Sequence, residues 1–256
     1  MRRVELIWGT AISIEIVDDV APDALDAVYA WFRRVDDLFS TWRDDSEISR
    51  IARGELEVAE ASPEVPVILA LCDEVRDASG GAFDITFGAR AGIEARPGIG
   101  ALDPSGVVKG WAVEAAAAML LGAGAQRFCI NAGGDVVVRG SPESDPAWRI
   151  GIRHPWDPDK LAAVVCMTEG AVATSGNYER GDHVVDARTG LPPSGLASVT
   201  VVGASLTMAD AYATAAFAMG RDGISWLAGR PDVEAMAITE DAVVVSTDGF
   251  DRYRAT

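Results

Sequence analysis

A carboxylate and a hydroxyl stand four residues apart near the C-terminal end of the chain. Asp210 and Thr214 lie within TMADAYATAAFAMG, so a helix there would place both side chains on one face. Carboxylate and hydroxyl oxygens suit a hard cation such as Mg²⁺, which often shares phosphate oxygens as ligands. The competing interpretation is local: Thr207 would cap this helix, with Asp210 at its third position, as in a capping box.

A lysine follows a helix-start pattern in LDPSGVVKGWAVE, residues 102–114. We expect Ser105 to cap this helix, whose first N–H groups would then be available to an anion. Lys109 stands near the start of the helix, where a cation opposes the helix dipole, and an anionic ligand would explain it. The alternative is a solvated surface lysine beside an ordinary cap.

His183 and Trp42 are further candidates. His183, in GDHVVDARTG, is one of two histidines and could act as a base near neutral pH or make a structural hydrogen bond. Trp42 lies in STWRDDSEISRI, which we interpret as a polar loop. An exposed tryptophan there could stack on a ring, whereas a buried one would anchor the loop. The Gly turn in NAGGD, residues 131–135, is explained equally well as a plain hairpin.

Several helices and strands must position these residues. Periodicity predicts helices over residues 23–39, 63–78, 105–121, 207–219 and 224–228. Strand patterns cover residues 4–7 and 11–17, FCIN and DVVVR, then WRIGIR, AAVVCM, AVATS, HVVDA, SVTVVG, AMAIT and VVVST. Because helices cluster early and strands late, we expect an α+β fold: one domain over residues 1–256, with mixed, largely antiparallel sheets and flanking helices. The sequence has no GxGxxG after a strand and no GxxxxGK[ST], which excludes Rossmann and P-loop sites.

Composition narrows the classes of partner. The 256 residues are 49% hydrophobic and 24% charged, which is typical of a folded protein. The net charge of −17 argues against nucleic acid and against anionic membrane surfaces, although one local basic group could still hold a phosphate. Three separated cysteines predict neither disulfides nor a zinc site. The sequence shows no membrane span, signal peptide or lipobox, so we expect a cytoplasmic protein without a membrane anchor.

Nine stretches together resemble one family, the ApbE-type FAD:protein FMN transferases. They run in family order from residue 9 to residue 220: GT, FSTWRDDSEISRI, GGAFD, LDPSGVVKGWAVE, INAGGDVVVRG, WRIGIRHP, AVATSGNYER, HVVDARTGLPPSGLASVTVVG and MADAYATAAFAMG. The resemblance implies a single α+β unit with the flavin in a cleft. It also implies that a threonine or serine hydroxyl of an acceptor protein attacks the FMN-side phosphorus of FAD. AMP then leaves, with help from Mg²⁺ or, as the alternative ion, Mn²⁺.

The resemblance further implies a role for each matching residue. Asp210, Thr214 and the carbonyl of Gly106 would bind the metal ion, and Asp210 would be needed for catalysis. His183, in an HxxD motif, would act in catalysis and contact the nucleotide. The remaining FAD contacts would come from Trp42, which replaces a common tyrosine, and from Ala82, Phe83, Asp84, Asp103 and Lys109.

The chain departs from the family pattern in two places. The segment between Gly88 and Leu102 is shorter than in most members, and Ile85 stands where proline is common. The shortened segment leaves the choice of acceptor open. Two other functions stay open at this point: a Mg²⁺-dependent FAD pyrophosphatase that releases FMN and AMP, and a flavin-binding protein without turnover.

Overall fold

The strands and helices are defined in a computed structural model that describes residues 1–91, 102–176 and 184–255. Within these ranges the strands are β1 (Arg2–Ile7), β2 (Thr10–Ile16), β3 (Phe128–Ala132), β4 (Asp135–Arg139), β5 (Trp148–Arg153), β6 (Leu161–Met167), β7 (Glu169–Gly176), β8 (Leu196–Gly203), β9 (Val233–Thr239) and β10 (Val244–Ser246). The α-helices are α1 (Asp23–Phe39), α2 (Glu47–Ala52), α3 (Glu64–Ala78), α4 (Phe87–Arg90), α5 (Ser105–Gly122), α6 (Leu206–Ala218) and α7 (Asp222–Ala228). Short 3-10 helices cover Val58–Glu60 and Phe250–Tyr253.

Eight strands form one sheet in the order β1-β2-β3-β4-β7-β8-β9-β10, and β5 pairs with β6 in a second sheet. The neighbouring strands of both sheets run antiparallel. This arrangement confirms the predicted α+β class. None of the helices in the described parts of the chain is long and apolar enough to cross a membrane.

The central strands of the large sheet are buried on both faces. Side chains alternate along a strand, so neighbours point to opposite faces. In β4, Val137 packs with the cluster formed by the helices, whereas Val136 and Val138 pack with Trp148 and Phe250 on the other side. The molecule therefore has three layers: helices, the eight-stranded sheet, and the β5-β6 pair with the last 3-10 helix.

The β3-β4 hairpin turns at Gly133 and Gly134, as predicted. Their φ angles are +61° and +100°, and this left-handed conformation is one that glycine adopts without strain. A Cβ on Gly133 would lie 2.6 Å from the hydroxyl oxygen of Thr10, so the turn packs tightly against the start of β2. The hairpin consequently places Asp135 at the first position of β4.

Two local predictions are wrong. The polar segment around Trp42 is not all loop, because Ser46 accepts a hydrogen bond from the backbone of Ser49 at 3.2 Å and caps α2. The described part of HVVDA, residues 184–187, forms no strand. Asp186 makes only an isolated bridge to Leu191, because its carbonyl accepts the N–H of Gly190 at 2.7 Å and the chain turns back.

Candidate active site

Helices α5 and α6 touch at Gly110. A Cβ on Gly110 would lie 2.6 Å from the carbonyl oxygen of Leu206 and 2.8 Å from Cβ of Asp210, so the contact requires glycine. The Gly110 N–H donates a 2.9 Å hydrogen bond to Oδ2 of Asp210, which is 4% exposed. Asp210 thus receives a hydrogen bond from the backbone of the neighbouring helix.

The start of α6 explains why Asp210 points across to α5. Ser205, not Thr207, caps the helix by accepting the N–H of Met208 at 3.3 Å. Glu114 on α5 accepts hydrogen bonds from the Ser205 hydroxyl at 2.7 Å and from the Thr207 N–H at 2.9 Å. The capping-box interpretation of Thr207 and Asp210 is therefore wrong, because α5 supplies the carboxylate at this helix end.

The residues predicted to bind the metal ion lie along the contact between α5 and α6. A Cβ on Gly106 would lie 3.4 Å from Oγ1 of Thr214, which is one turn beyond Asp210. The Thr214 hydroxyl lies 3.3 Å from the hydroxyl of Ser175 at the end of β7. Carboxylate, hydroxyl and carbonyl oxygens are the donors that Mg²⁺ prefers. The donor set therefore fits a hard divalent cation.

Lys109 is held by a buried carboxylate that the sequence analysis did not single out. Its Nζ lies 2.6 Å from Oδ2 of Asp135 and 4.0 Å from Oδ1 of Asp210. The Asp135 side chain is 1% exposed, and its Oδ1 accepts the N–H of Thr174 at 3.2 Å. The solvated-lysine interpretation is therefore wrong. The available signal was an aspartate directly after a Gly-Gly turn, at the head of an otherwise apolar strand.

Asp210 and Asp135 place two buried carboxyl groups next to one lysine. Burial raises the pKa of Asp210 to about 7; the Lys109 ammonium opposes this shift and the nearby Asp135 carboxyl adds to it. When both carboxyl groups and the Lys109 ammonium are ionised, the three groups together carry a formal charge of −1. A bound divalent cation would favour the ionised form of Asp210.

Comparison with known proteins identifies the family. The model of the ApbE family matches residues 8–93 and 93–237, which is most of the chain. The chain belongs to the ApbE family.

Relatives and solved structures extend the ApbE match. An FAD:protein FMN transferase from Vibrio cholerae is 27% identical over 270 residues, covering 87% of this chain and 79% of that protein. One from Rhodobacter capsulatus is 36% identical over 155 residues, but the match spans 57% of this chain and only 29% of that protein. The crystal structure of the ApbE protein of Thermotoga maritima superposes with a TM-score of 0.87 at 23% identity, covering 100% of this chain and 99% of the other. The V. cholerae flavin transferase ApbE gives 0.85 at 23% identity, with 99% and 98% covered.

The segment predicted to contact FAD, residues 82–84, lies beside the start of α5. The N–H of Asp103 donates to the carbonyl of Ile85 at 2.9 Å, which ties the strip to the helix. Ser105 is the first residue of α5, and Pro104 stands at the cap position. Oδ1 of Asp103 accepts the Ser105 N–H at 3.0 Å. Oδ1 of Asp84 accepts the N–H of Thr86 at 2.8 Å.

The interior of the strip packs against the segment that follows the HxxD motif. Ala82 and Phe83 are buried, and the carbonyl of Ala82 accepts the N–H of Ala187 at 3.1 Å. Asp186 pairs with Arg188 at 2.7 Å. Burial would raise the pKa of Asp186, but hydrogen bonds from Arg188 outweigh burial and hold that pKa below its usual value.

Two of the predicted site residues are not joined to this cluster by any contact described above. His183 lies outside the described residues. Trp42 is 72% exposed, so the interpretation of Trp42 as a buried anchor of its loop is wrong. Its contact with a nucleotide stays a prediction.

Proposed function

We propose that this ApbE-family chain is an FAD:protein FMN transferase that moves FMN from FAD to a threonine or serine hydroxyl of an acceptor protein. The acceptor oxygen forms a bond to the FMN-side phosphorus, and the bond from that phosphorus to the bridging oxygen breaks. AMP leaves with the bridging oxygen, and the hydroxyl gives up its proton. The observation that carries the proposal is the meeting of Asp210, Thr214 and Gly106 beside Lys109.

In this proposal the α5-α6 contact is the metal site. The Asp210 carboxylate, the Thr214 hydroxyl and the Gly106 carbonyl would hold Mg²⁺ or Mn²⁺. A bound cation would neutralise charge on the pyrophosphate oxygens of FAD. A backbone carbonyl has two lone pairs, so the Gly106 carbonyl could accept a helix hydrogen bond and still bind the ion.

Charge supports the need for a cation. The chain carries a net charge of −17, and the cluster of two carboxylates and Lys109 is itself formally negative. FAD brings two phosphate charges to this place, and like charges a few ångströms apart repel by several kcal/mol at low effective dielectric, on the order of 4 kcal/mol at 4 Å. A divalent cation at Asp210 would reverse the sign of the cluster and leave the Lys109 ammonium as a second positive group.

The other predicted residues take supporting roles in the proposal. Asp103, Asp84, Phe83 and Ala82 would line the nucleotide site next to the start of α5. The exposed ring of Trp42 would stack on the nucleotide. His183 would act on the acceptor hydroxyl, either by taking its proton or by positioning it.

The test incubates the protein with FAD, with and without Mg²⁺, and with and without a panel of threonine-containing peptides. Chromatography separates FAD, FMN and AMP, and mass spectrometry finds any peptide that carries FMN. We expect FMN on a threonine and equimolar AMP, only with Mg²⁺. Free FMN and AMP, equal with and without peptide, would instead identify a pyrophosphatase. If FAD stays intact in every mixture, the result would indicate a flavin-binding protein without turnover.

A matched pair of variants assigns the chemistry to the site. Asp210→Ala is expected to lower turnover on the order of 10²-fold, the usual cost of removing one stabiliser of transition-state charge. Asp232→Ala makes the same change at an exposed position between α7 and β9 and should leave turnover unchanged. Full activity in Asp210→Ala would refute the metal assignment.

A further inference from the structure

Asp135 is a buried carboxylate with no role in the reaction proposed above. It stands at the first position of β4, directly after the Gly133-Gly134 turn, and its side chain is 1% exposed. The Thr174 N–H on β7 fixes its Oδ1 at 3.2 Å. Its Oδ2 has no hydrogen bond to any described residue, and its contact there is the ion pair with Lys109. Burial of such a group is costly, so its location calls for an explanation.

The distances around Lys109 suggest an explanation for the buried position of Asp135. The ammonium lies 2.6 Å from Oδ2 of Asp135 but 4.0 Å from Oδ1 of Asp210. Both carboxylates are within reach of the same flexible lysine, so each competes for it. An ammonium that moved onto Asp210 would occupy the carboxylate oxygen that a metal ion needs. Asp135 lies on a strand and Asp210 on a helix, and each accepts a backbone hydrogen bond of its own.

We propose that Asp135 is a positioning residue that retains the Lys109 ammonium and so leaves Asp210 available to a divalent cation. The proposal rests on the metal site of the proposed function and adds to it a reason for the buried carboxylate. In this proposal Asp135 holds the Lys109 ammonium, and Asp210 binds the metal ion beside it.

Formal charges make the proposal testable through metal binding alone. With both carboxylates and the ammonium ionised, the cluster carries −1 in the wild type. Asp135→Asn brings it to 0 and frees the lysine to pair with Asp210. Lys109→Met removes the competitor and brings the charge to −2. The double variant Asp135→Asn/Lys109→Met returns it to −1 with no competitor present.

The experiment measures the Mg²⁺ dissociation constant by calorimetry for these four proteins, without nucleotide and again with FAD. We expect Asp135→Asn to weaken Mg²⁺ binding by about tenfold or more, since an unscreened charge at this range is worth at least that. Lys109→Met should bind at least as tightly as the wild type. The double variant should return to within about threefold of the wild type, because nearly all of the effect of Asp135 acts through Lys109.

A structural role for Asp135 predicts a different pattern. Asparagine keeps the shape of the side chain and its Oδ1 acceptor for Thr174, so thermal unfolding in EDTA checks that each variant folds. Damage to the fold by Asp135→Asn would persist in the double variant, and a double variant that binds Mg²⁺ as weakly as Asp135→Asn overturns the proposal. Unchanged binding in Asp135→Asn also overturns it. If Asp135→Asn does not fold, Lys109→Met decides, because removal of a competitor must not weaken binding.

Failure of the metal site itself gives a separate result. If the wild type binds no Mg²⁺ in either condition, or if Asp210→Asn binds it as well as the wild type, the metal assignment of the proposed function falls and the role of Asp135 falls with it. If Asp210→Asn loses Mg²⁺ while Asp135→Asn does not, only the role of Asp135 is refuted. Turnover should stay low in the double variant even as Mg²⁺ affinity returns, because Lys109 is absent.

Discussion

Replacing Gly110 with alanine would place a methyl group between two helices that have no room for it. The added Cβ would lie 2.6 Å from the carbonyl oxygen of Leu206 and 2.8 Å from Cβ of Asp210. Neither atom belongs to the flexible end of a side chain, so α5 and α6 must separate. Overpacking of this kind costs about 1–3 kcal/mol, and here it should fall in the upper half of that range. Alanine recovers about 1 kcal/mol through its helix propensity, which leaves a net loss of about 1–2 kcal/mol.

Gly122→Ala is the matched control for Gly110→Ala. Gly122 is the last residue of the same helix, and a Cβ there would meet nothing within 4 Å. The same substitution should therefore be neutral or raise the free energy of unfolding by up to about 1 kcal/mol. Urea denaturation in EDTA would measure both variants against the wild type.

Activity should respond to Gly110→Ala more strongly than stability does. Asp210 accepts its hydrogen bond from the N–H of Gly110, so separating the helices displaces a metal ligand directly. A shift of about 1 Å in a catalytic group can cost on the order of 10²-fold in rate. Equal stability and full turnover in both glycine variants would show that α5 and α6 are not in contact at Gly110, and the reasoning about the site would fail.

Three further predictions concern other groups. Burial raises the pKa of Asp210 from 3.8 to about 7, so the stability that this carboxyl contributes to the metal-free protein is complete below 3.8 and is lost as the pH rises through 7. The free energy of unfolding of the wild type minus that of Asp210→Asn, measured in EDTA, should therefore fall between pH 4 and pH 8. Burial also raises the pKa of Cys72 and Cys129 to about 12, so both thiols should resist iodoacetamide at pH 8 until the protein is unfolded, as mass spectrometry would show. Trp42→Ala should change stability by less than about 0.5 kcal/mol because the ring is 72% exposed. It should weaken FAD binding about fivefold to tenfold if the ring stacks, whereas Trp156→Ala, at a ring 51% exposed after β5, should leave flavin fluorescence titrations unchanged.

Local periodicity was sufficient for the elements that bury one regular face. Helix α1 occupies residues 23–39 as predicted, because its apolar residues recur at helical spacing. The Gly133-Gly134 turn was predictable because only glycine readily adopts positive φ at both positions. The four-residue spacing of Asp210 and Thr214 likewise places both on one face of α6.

Helix ends and short elements were less predictable, because a cap can be decided by another part of the chain. Ser205 and Thr207 are both suitable caps, and the choice between them depends on Glu114, about 90 residues earlier on α5. Ser105 looked like a cap, but the preceding Asp103 takes the backbone hydrogen bond. When several residues near a helix end could each cap it at similar energy, contacts of this kind decide which residue does so.

The amino-acid sequence by itself determined the fold class, the main helices and strands, and the residue types that could hold a metal ion next to a nucleotide. Only the tertiary structure decided which of these residues meet. Lys109 pairs with Asp135 across a helix and a strand, and Gly110 donates to Asp210 across two helices 100 residues apart. Helical and strand periods follow from backbone geometry within a few residues, whereas these contacts depend on how whole elements pack in three layers, which no local period encodes.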